Sequence, residues 1–129
     1  GGPTAMITTR QNVPVLDGTS AAGVAQGGYV LRDVESAALT LVGTGSEVAV
    51  CVEAAELLAA EGIAARVVSL PCWELFEAAP AAVRSEVIPA ALPSLAVEAG
   101  STMGWHRWVD DVVGIDRFGA SAPGATVLS

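Results

Sequence analysis

The segment from Ala38 to Gly62 reads A-L-T-L-V-G-T-G-S-E-V-A-V-C-V-E-A-A-E-L-L-A-A-E-G. Residues 38–42 form a short, mostly apolar run that ends at a glycine, which is the pattern of a strand buried on both faces. From Ser46 onward the apolar residues recur at intervals of three and four, which is the spacing of an amphipathic helix. The segment therefore predicts a strand, a glycine-rich turn and a helix that packs on the sheet.

The ends of this helix carry their own signals. Thr44 and Glu47 have the spacing of a capping box, with Ser46 as the alternative N-cap. Gly62 is suited to end the helix in a left-handed conformation. Residues 63–70 then supply a second apolar run. Together these features predict a right-handed βαβ unit with parallel strands.

The rest of the chain supplies further short elements in α/β order. Residues 27–33 predict an edge strand, and because only a few residues join it to the central strand, we expect that pair to be antiparallel. The remaining predicted elements are short helices at 71–76, 80–87 and 103–109 and strands at 94–98 and 112–116. We therefore expect an α/β fold: a three-layer α/β/α sandwich with a mixed sheet of about five strands, mostly parallel with one antiparallel edge strand.

Residues 1–26 differ in character from the rest of the chain. Thr4 to Thr9 is a short β-prone run with no strand or helix before it, which predicts that its sheet belongs to another polypeptide or to a missing part of this one. Residues 13–20 have the pattern of an extended linker with a turn. We expect 1–26 to be the end of one domain and a linker, and 27–129 to be a second domain.

The composition excludes several classes of function. The chain has 14 acidic and six basic residues, a net charge of −8, and no lysine. We expect no nucleic-acid partner, because this charge repels a phosphate backbone, and the lack of lysine excludes a Walker phosphate loop and Schiff-base chemistry. No apolar run approaches the ~20 residues of a membrane helix, and no secretion signal opens the chain. We therefore expect a cytoplasmic protein without a membrane segment.

Two glycine-containing turns follow predicted parallel strands. The first resembles the start of a dinucleotide fingerprint, but Val48 takes the place of its third glycine, which favours a simple strand-to-helix turn. Because both turns leave the same edge of the sheet, two helix N-termini facing one crevice there would be able to hold a small anion. The alternative is a pair of tight turns without a ligand. The candidate residues for the anion crevice are Gly43, Thr44, Gly45, Ser46, Gly100, Ser101 and Thr102.

Other side chains with chemical potential are few. His106 is the only histidine, and no Cys-x-x-Cys or His-Glu-x-x-His spacing predicts a metal site. A hydrolase that uses Ser46 or Ser101 with His106 is an open alternative, although the Gly-x-Ser-x-Gly elbow is absent. Cys51 and Cys72 have the pattern of buried thiols in a reducing compartment, where a disulfide is possible but not needed. The three tryptophans are interpreted as core or interface anchors, and Asp110 as a solvated turn residue.

Arg10 stands out among the six arginines. It follows a predicted strand end and precedes two amide side chains, Gln11 and Asn12. A guanidinium in such a place suits bidentate recognition of a phosphate. The alternative is an ordinary surface arginine.

Six segments, in order along nearly the whole chain, resemble the C-terminal part of transketolase. They are P-T-A-M-I-T-T-R-Q-N-V-P-V-L from Pro3, G-G-Y-V-L-R-D from Gly27, L-V-G-T-G-S-E-V from Leu41, A-R-V-V-S-L-P-C-W-E-L-F-E from Ala65, A-V-E-A-G-S-T-M-G-W from Ala96 and G-I-D-R-F-G-A-S-A-P-G from Gly114.

The resemblance implies a specific function. Transketolases are thiamine-diphosphate enzymes of the pentose phosphate pathway that move a two-carbon ketol unit between sugar phosphates. They have three α/β domains and act as dimers, with the cofactor and a divalent metal, Mg²⁺ or Ca²⁺, bound between the first and middle domains of different subunits. By resemblance, Thr4 to Thr9 is the last strand of the middle domain, Arg10 falls on the arginine that contacts the substrate phosphate, and 27–129 is the C-terminal domain, which contributes to dimer packing.

The departures from the family concern the cofactor. The family's metal and diphosphate motif is Gly-Asp-Gly followed further along by asparagine, whereas this chain has Leu16-Asp17-Gly18 and its only asparagine, Asn12, lies upstream. We therefore expect no activity from this chain alone. We expect it to be the small subunit of a split transketolase or part of a longer one, in a dimer or heterotetramer with the N-terminal and middle domains that bind the cofactor. The alternative is a non-catalytic assembly or small-anion-binding module.

Overall fold

The computed structural model describes residues 2–9 and 12–119. Within these ranges the chain has five strands, four α-helices and one 3₁₀ turn. The strands are β1 (Tyr29–Arg32), β2 (Leu39–Gly43), β3 (Ala65–Ser69), β4 (Ser94–Val97) and β5 (Asp111–Val113), the helices are α1 (Ala21–Ala25), α2 (Glu47–Ala60), α3 (Trp73–Ala78) and α4 (Ala81–Val87), and the 3₁₀ turn is Trp105–Arg107.

All five strands form one sheet in the order β1-β3-β2-β4-β5. Strands β2 to β5 are parallel, whereas β1 is antiparallel to β3 at the edge. The predicted mixed sheet with one antiparallel edge strand is confirmed, as are the parallel strands of the βαβ unit. The expected pairing of β1 with the central strand is wrong, because β3 and β4 occupy both sides of β2 and leave β1 the outer side of β3.

Helix α2 packs on the sheet through the face that its periodicity predicts. Val48, Cys51 and Ala55 are buried, whereas Glu53 and Glu56 are exposed. The side chains on this face meet Leu41 and Val67 of the sheet. Burial of each large aliphatic side chain contributes about 1.5–3 kcal/mol to stability, and this contribution holds the helix against the sheet.

The two ends of α2 differ in how well the sequence predicts them. At the C-terminal end Gly62 has φ +80°, its N–H donates to the Ala59 carbonyl, and the Ile63 N–H donates to the Leu58 carbonyl. This is a Schellman motif, as the glycine predicts. At the N-terminal end the predicted capping box of Thr44 and Glu47 is wrong, because the helix begins at Glu47. The alternative N-cap, Ser46, accepts no hydrogen bond from a backbone N–H of the helix, and its hydroxyl donates to the Glu47 carboxylate at 2.7 Å.

Alternate residues of the central strands contribute side chains to two separate hydrophobic cores, one on each face of the sheet. Leu41 and Val67 point to the α2 side, whereas Val42 and Val68 point to the side of α3, α4 and Trp105. Helices therefore cover both faces of the sheet, and the predicted three-layer α/β/α sandwich is confirmed. Helix α2, with 14 residues, is the longest in the described ranges, and no helix there has the length and apolarity needed to cross a membrane.

Residues 2–9 form no strand within the described part of the chain, and the expectation that Thr4 to Thr9 joins a sheet outside this chain stays a prediction. Two other local expectations are wrong. Helix α1 lies where the sequence predicts a linker; its N-cap Ser20 accepts a hydrogen bond from the Gly23 N–H at 3.0 Å. The helix expected at 103–109 is reduced to a 3₁₀ turn, because Gly104 has φ +89° and cannot continue a right-handed helix.

Candidate functional site

The carboxyl ends of β2 and β4 meet where the strand order reverses. Along the chain β3 follows β2 and pairs on one side of it, while β4 pairs on the other, with Gly43 opposite Val97. Such a topological switch point is where α/β sheets commonly bind ligands. The turns that contain residues 43–46 and 100–102 both leave this edge, as the sequence predicts.

The first turn is a tight connection from strand to helix. A Cβ on Gly43 would lie 3.0 Å from the backbone of Glu47, which is a tight contact, so glycine favours the close approach of β2 and α2. Gly45 has φ +57°. The carboxylate of Glu47 lies in the first turn of α2, where the helix dipole favours a negative charge. This geometry favours the alternative of a turn without a ligand.

The donors of the second turn are bound to carboxylates of the same chain. Asp116 accepts hydrogen bonds from the Thr102 hydroxyl at 2.7 Å, the Thr102 N–H at 2.9 Å and the Ser101 hydroxyl at 3.0 Å. These bonds, the Thr102 hydroxyl foremost, hold the pKa of Asp116 below its ordinary value. The Gly100 N–H donates to Glu98 at 2.8 Å. An anion at this edge would meet carboxylates, so the anion crevice stays a prediction that this arrangement does not favour.

A larger cleft lies beside this edge, on the β3 side. It has a volume of about 690 Å³ and lies between the N-terminal segment and the turns that follow β2 and β3. Its walls include Thr8 and Thr9, residues 44–47 and residues 70–74. Arg10 follows Thr9 but lies outside the described residues. The segment that leads to Arg10 therefore passes along the carboxyl edge of the sheet.

The structure does not assemble the hydrolase considered from the sequence. The hydroxyl of Ser46 donates to Glu47, and that of Ser101 donates to Asp116. A serine hydroxyl has a single proton to donate, so neither serine is poised toward an imidazole base. His106 is exposed and lines a different groove, next to Pro89.

The aromatic side chains serve packing. Trp105 is 1% exposed, and its ring meets that of Trp73 edge to face at 5.1 Å. Phe76 and Trp108 form a second such pair at 5.3 Å. The Trp105 indole N–H donates to Glu98 at 3.1 Å, which satisfies its buried polar atom. The interpretation of Trp105 as a core anchor is confirmed.

The two cysteines are both free thiols. Cys51 is fully buried, and burial, with a smaller contribution from the charge of Glu47, raises its pKa to about 12. Such a thiol stays protonated and unreactive at neutral pH. Cys72 is partly exposed beside Glu74.

The residues of this chain do not match the family's metal and diphosphate motif, because no asparagine follows Asp17-Gly18 in the sequence. In the described ranges, no group of three or more histidine, cysteine, aspartate or glutamate side chains is close enough to hold a metal ion.

Asp110 has a structural role that its sequence context does not indicate. The sequence predicts a solvated turn residue, but the Asp110 carboxylate accepts hydrogen bonds from the Ser94 hydroxyl at 2.7 Å and the Ser94 N–H at 2.8 Å. In return the Asp110 N–H donates to the Ser94 hydroxyl at 3.0 Å. The pair joins the beginnings of β4 and β5. No sequence signal indicates it, because the two residues lie 16 positions apart.

The fold and the carboxyl edge of the sheet define the class of protein. It is an α/β sandwich domain whose described residues hold no assembled catalytic group and no set of metal ligands. The family model described as the transketolase-like TK C-terminal domain matches residues 27–129. This chain belongs to the transketolase family and carries its C-terminal domain.

Individual relatives show the same relationship. A transketolase of Nostoc sp. is 53% identical over 131 residues, which cover 98% of this chain and 20% of the relative. A crystal structure of a transketolase variant from Pichia stipitis with xylulose 5-phosphate superposes with a TM-score of 0.88 at 39% identity, over 92% of this chain and 18% of that one. A split-gene transketolase, described as an inactive β4 tetramer, has a TM-score of 0.60 at 26% identity, over 90% of this chain and 41% of that one. The chain thus spans about a fifth of the length of the curated relative.

Proposed function

We propose that this chain acts as the C-terminal region of a thiamine-diphosphate-dependent transferase that moves a two-carbon ketol unit between sugar phosphates. The observation that supports this most is the match to transketolases along 98% of the chain at 53% identity, together with a fold that superposes on their C-terminal domains. In this proposal the cofactor and its Mg²⁺ or Ca²⁺ are bound by the N-terminal and middle domains. The present chain supplies packing surface and a substrate contact.

The substrate contact is Arg10. Its guanidinium would hold the phosphate of the sugar through two charge-assisted hydrogen bonds. Support comes from the resemblance of residues 3–16 to the family segment and from the course of Thr8 and Thr9 along the cleft at the carboxyl edge. No other residue of this chain is proposed to touch the substrate.

The N-terminal segment would complete the sheet of the middle domain. Met6 is 85% exposed and Ile7 is 96% exposed, and the backbone of residues 2–9 forms no strand in this chain. A β-prone run with exposed apolar side chains is suited to strand addition. This supports a division into 1–26, the end of the middle domain and a linker, and 27–129, the C-terminal domain.

The assembly would be a dimer or a heterotetramer in the cytoplasm. The chain is either the small subunit of a split enzyme or a region of a longer one. The similarity to the split-gene protein supports the first arrangement, and the higher identity to the longer transketolase of Nostoc sp. supports the second.

The first test uses the purified chain by itself. We expect no turnover of xylulose 5-phosphate with ribose 5-phosphate in the presence of thiamine diphosphate and Mg²⁺, and no calorimetric binding of the cofactor. The control is an intact transketolase in the same buffers. Turnover, or tight cofactor binding, by a sample free of host transketolase would show that the chain has an active site of its own.

A further inference from the structure

A groove of about 250 Å³ lies between helix α4 and the 3₁₀ turn, on the face of the sheet opposite α2. Apolar and basic side chains line it together: Phe76, Ile88, Trp108, Arg84 and Arg107. It shares no residue with the cleft beside the carboxyl edge. The groove is therefore separate from the region of the proposed substrate contact.

Arg84 lines this groove as a cation without a carboxylate partner in the described ranges. Its Nη1 donates to the carbonyl of Glu77 and to that of Ala79, at 2.7 Å each, which holds the guanidinium at the end of α3. The salt bridges of the described residues involve other arginines. Since a guanidinium has five N–H groups, three of those on Arg84 remain for a ligand.

The indole of Trp108 adds a neutral donor to the same lining. Its Nε1 atom is buried and has no hydrogen-bond partner among the described residues, which is costly for a polar group. The Arg107 guanidinium lies 5.1 Å from the centre of the Trp108 ring and pairs with the carboxylate of Glu77. Because Glu77 offsets the charge of Arg107, Arg84 supplies the uncompensated positive charge of the groove.

The size and charge of the groove limit the kind of ligand that fits. A cavity of about 150 Å³ holds a benzene molecule, so this groove has room for one ring with a small substituent. A single uncompensated guanidinium matches the single charge of a carboxylate and pairs with it through two parallel hydrogen bonds. A phosphate dianion would need more positive charge than this groove supplies, in a chain with a net charge of −8.

We propose that this groove binds a small aromatic carboxylate. The carboxylate accepts hydrogen bonds from Arg84, and the ring lies against Trp108 and Ile88. The unpartnered indole N–H of Trp108 supplies a further donor to the acid. Contact between aromatic rings and the removal of apolar surface from water stabilise the bound ring.

Nuclear magnetic resonance of the purified chain tests this proposal with benzoate as the probe. The indole N–H signals of the three tryptophans are followed as sodium benzoate is added at constant ionic strength, and Trp108→Phe assigns the signal of Trp108. We expect the Trp108 signal to shift saturably and that of Trp105, whose N–H is bound to Glu98, to stay in place. Benzamide, which has nearly the same shape and no charge, should bind about tenfold more weakly. A Trp108 signal that does not shift, or equal binding of benzamide, would overturn the proposal.

Two arginine variants test whether the charge of the groove holds the probe. Arg84→Gln should weaken benzoate binding about tenfold or more, because it removes the charge-assisted hydrogen bonds. Arg32→Gln removes the same charge from an arginine outside the groove and should leave the affinity unchanged. Equal affinities of these two variants would overturn the role of Arg84.

A second pair of variants keeps Arg84 and its bonds to α3. Ala81 is exposed and lines the groove, whereas its neighbour Ala82 is exposed and lies outside it. Ala81→Leu narrows the groove and should weaken benzoate binding. Ala82→Leu adds the same volume outside the groove and should leave binding unchanged. Benzoate bound equally well by both variants would contradict the groove as its site.

Discussion

Two carboxylates outside the helices and strands, Asp110 and Asp116, bind donors at the two ends of β4. Asp110 joins the beginnings of β4 and β5 through Ser94, and Asp116 holds the turn at Thr102 and Ser101 after β4. Both carboxylates accept a hydroxyl and a backbone N–H, and both have lowered pKa values as a result. Sequence analysis could not predict these pairs, because their partners lie 14 to 16 residues apart and create no periodic pattern.

The Ser94–Asp110 pair predicts a pH dependence of stability. The Ser94 hydroxyl, and then its N–H, lower the pKa of Asp110 in the folded protein. The stabilisation is therefore complete above the pKa of the unfolded state, about 3.9, and is lost as the pH falls through the lower pKa of the folded state. We expect Asp110→Asn to lower the urea midpoint at pH 7 and to reduce the further loss of stability below about pH 4.

Asp17→Asn is the matched control for this comparison, since Asp17 lies exposed in a turn. It should leave the urea midpoint at pH 7 nearly unchanged. If Asp110→Asn and Asp17→Asn unfold alike at every pH, the bond to Ser94 does not contribute to stability.

At the scale of elements, most helices and strands were predicted from the spacing of apolar residues along the chain. Strand β2, helix α2 and strand β3 were predictable because they form the buried centre of the domain. There the apolar residues form a continuous run in each strand and recur at intervals of three and four in the helix. The strand pairing at the edges of the sheet was less predictable. The partner of β1 depends on how β3 and β4 fill the two sides of β2, and local sequence does not encode that choice.

Short elements escaped prediction for a local reason. Helix α1 has five residues with a glycine among them, too few to show a period. Its glycine has a packing role, because a Cβ on Gly23 would lie 2.4 Å from the ring of Tyr29. The Ser46–Glu47 contact likewise replaces the expected capping box through a choice between two short-range hydrogen bonds, which spacing alone does not decide.

The end of α2 supplies a prediction at this scale. Gly62 has φ +80°, and a Cβ there would meet no atom within 4 Å. Gly62→Ala should therefore act through the backbone alone and lower the free energy of unfolding by about 1 kcal/mol. Gly62→Asn, which tolerates the left-handed region better, should cost less. Urea unfolding monitored by circular dichroism measures both, and an unchanged midpoint for Gly62→Ala would show that the helix ends by other means.

For the molecule as a whole, the sequence indicated the family and the function more than the site. Six ordered segments pointed to transketolase, and the fold and the family match bear out that resemblance. The two turns of the candidate anion crevice lie at the predicted edge of the sheet. The carboxylates of Glu98 and Asp116 accept the hydrogen bonds of the donors in the second turn, and no pattern in the sequence indicates these contacts. The proposed substrate contact, Arg10, lies outside the described residues.

Arg10 predicts a kinetic effect in the assembled enzyme. Arg10→Ala should raise the KM for xylulose 5-phosphate about tenfold to hundredfold, because a hydrogen bond to a charged group contributes about 1.5–3 kcal/mol. Arg10→Lys should have an intermediate effect, since it keeps the charge but loses the bidentate geometry. With xylulose, which has no phosphate, the three proteins should have the same KM. An unchanged KM for xylulose 5-phosphate in Arg10→Ala would remove Arg10 from the site.

Reconstitution tests most directly whether this chain completes a transketolase. The N-terminal and middle domains of a transketolase, ending before the segment that matches Gly2 to Thr9, are purified separately and mixed with this chain, and the transfer of the ketol unit from xylulose 5-phosphate to ribose 5-phosphate is measured. The proposal predicts little activity from either part alone and a rise with added chain that saturates at a fixed ratio. Activity of the two domains that is full without the chain and unaffected by it would contradict the proposed function.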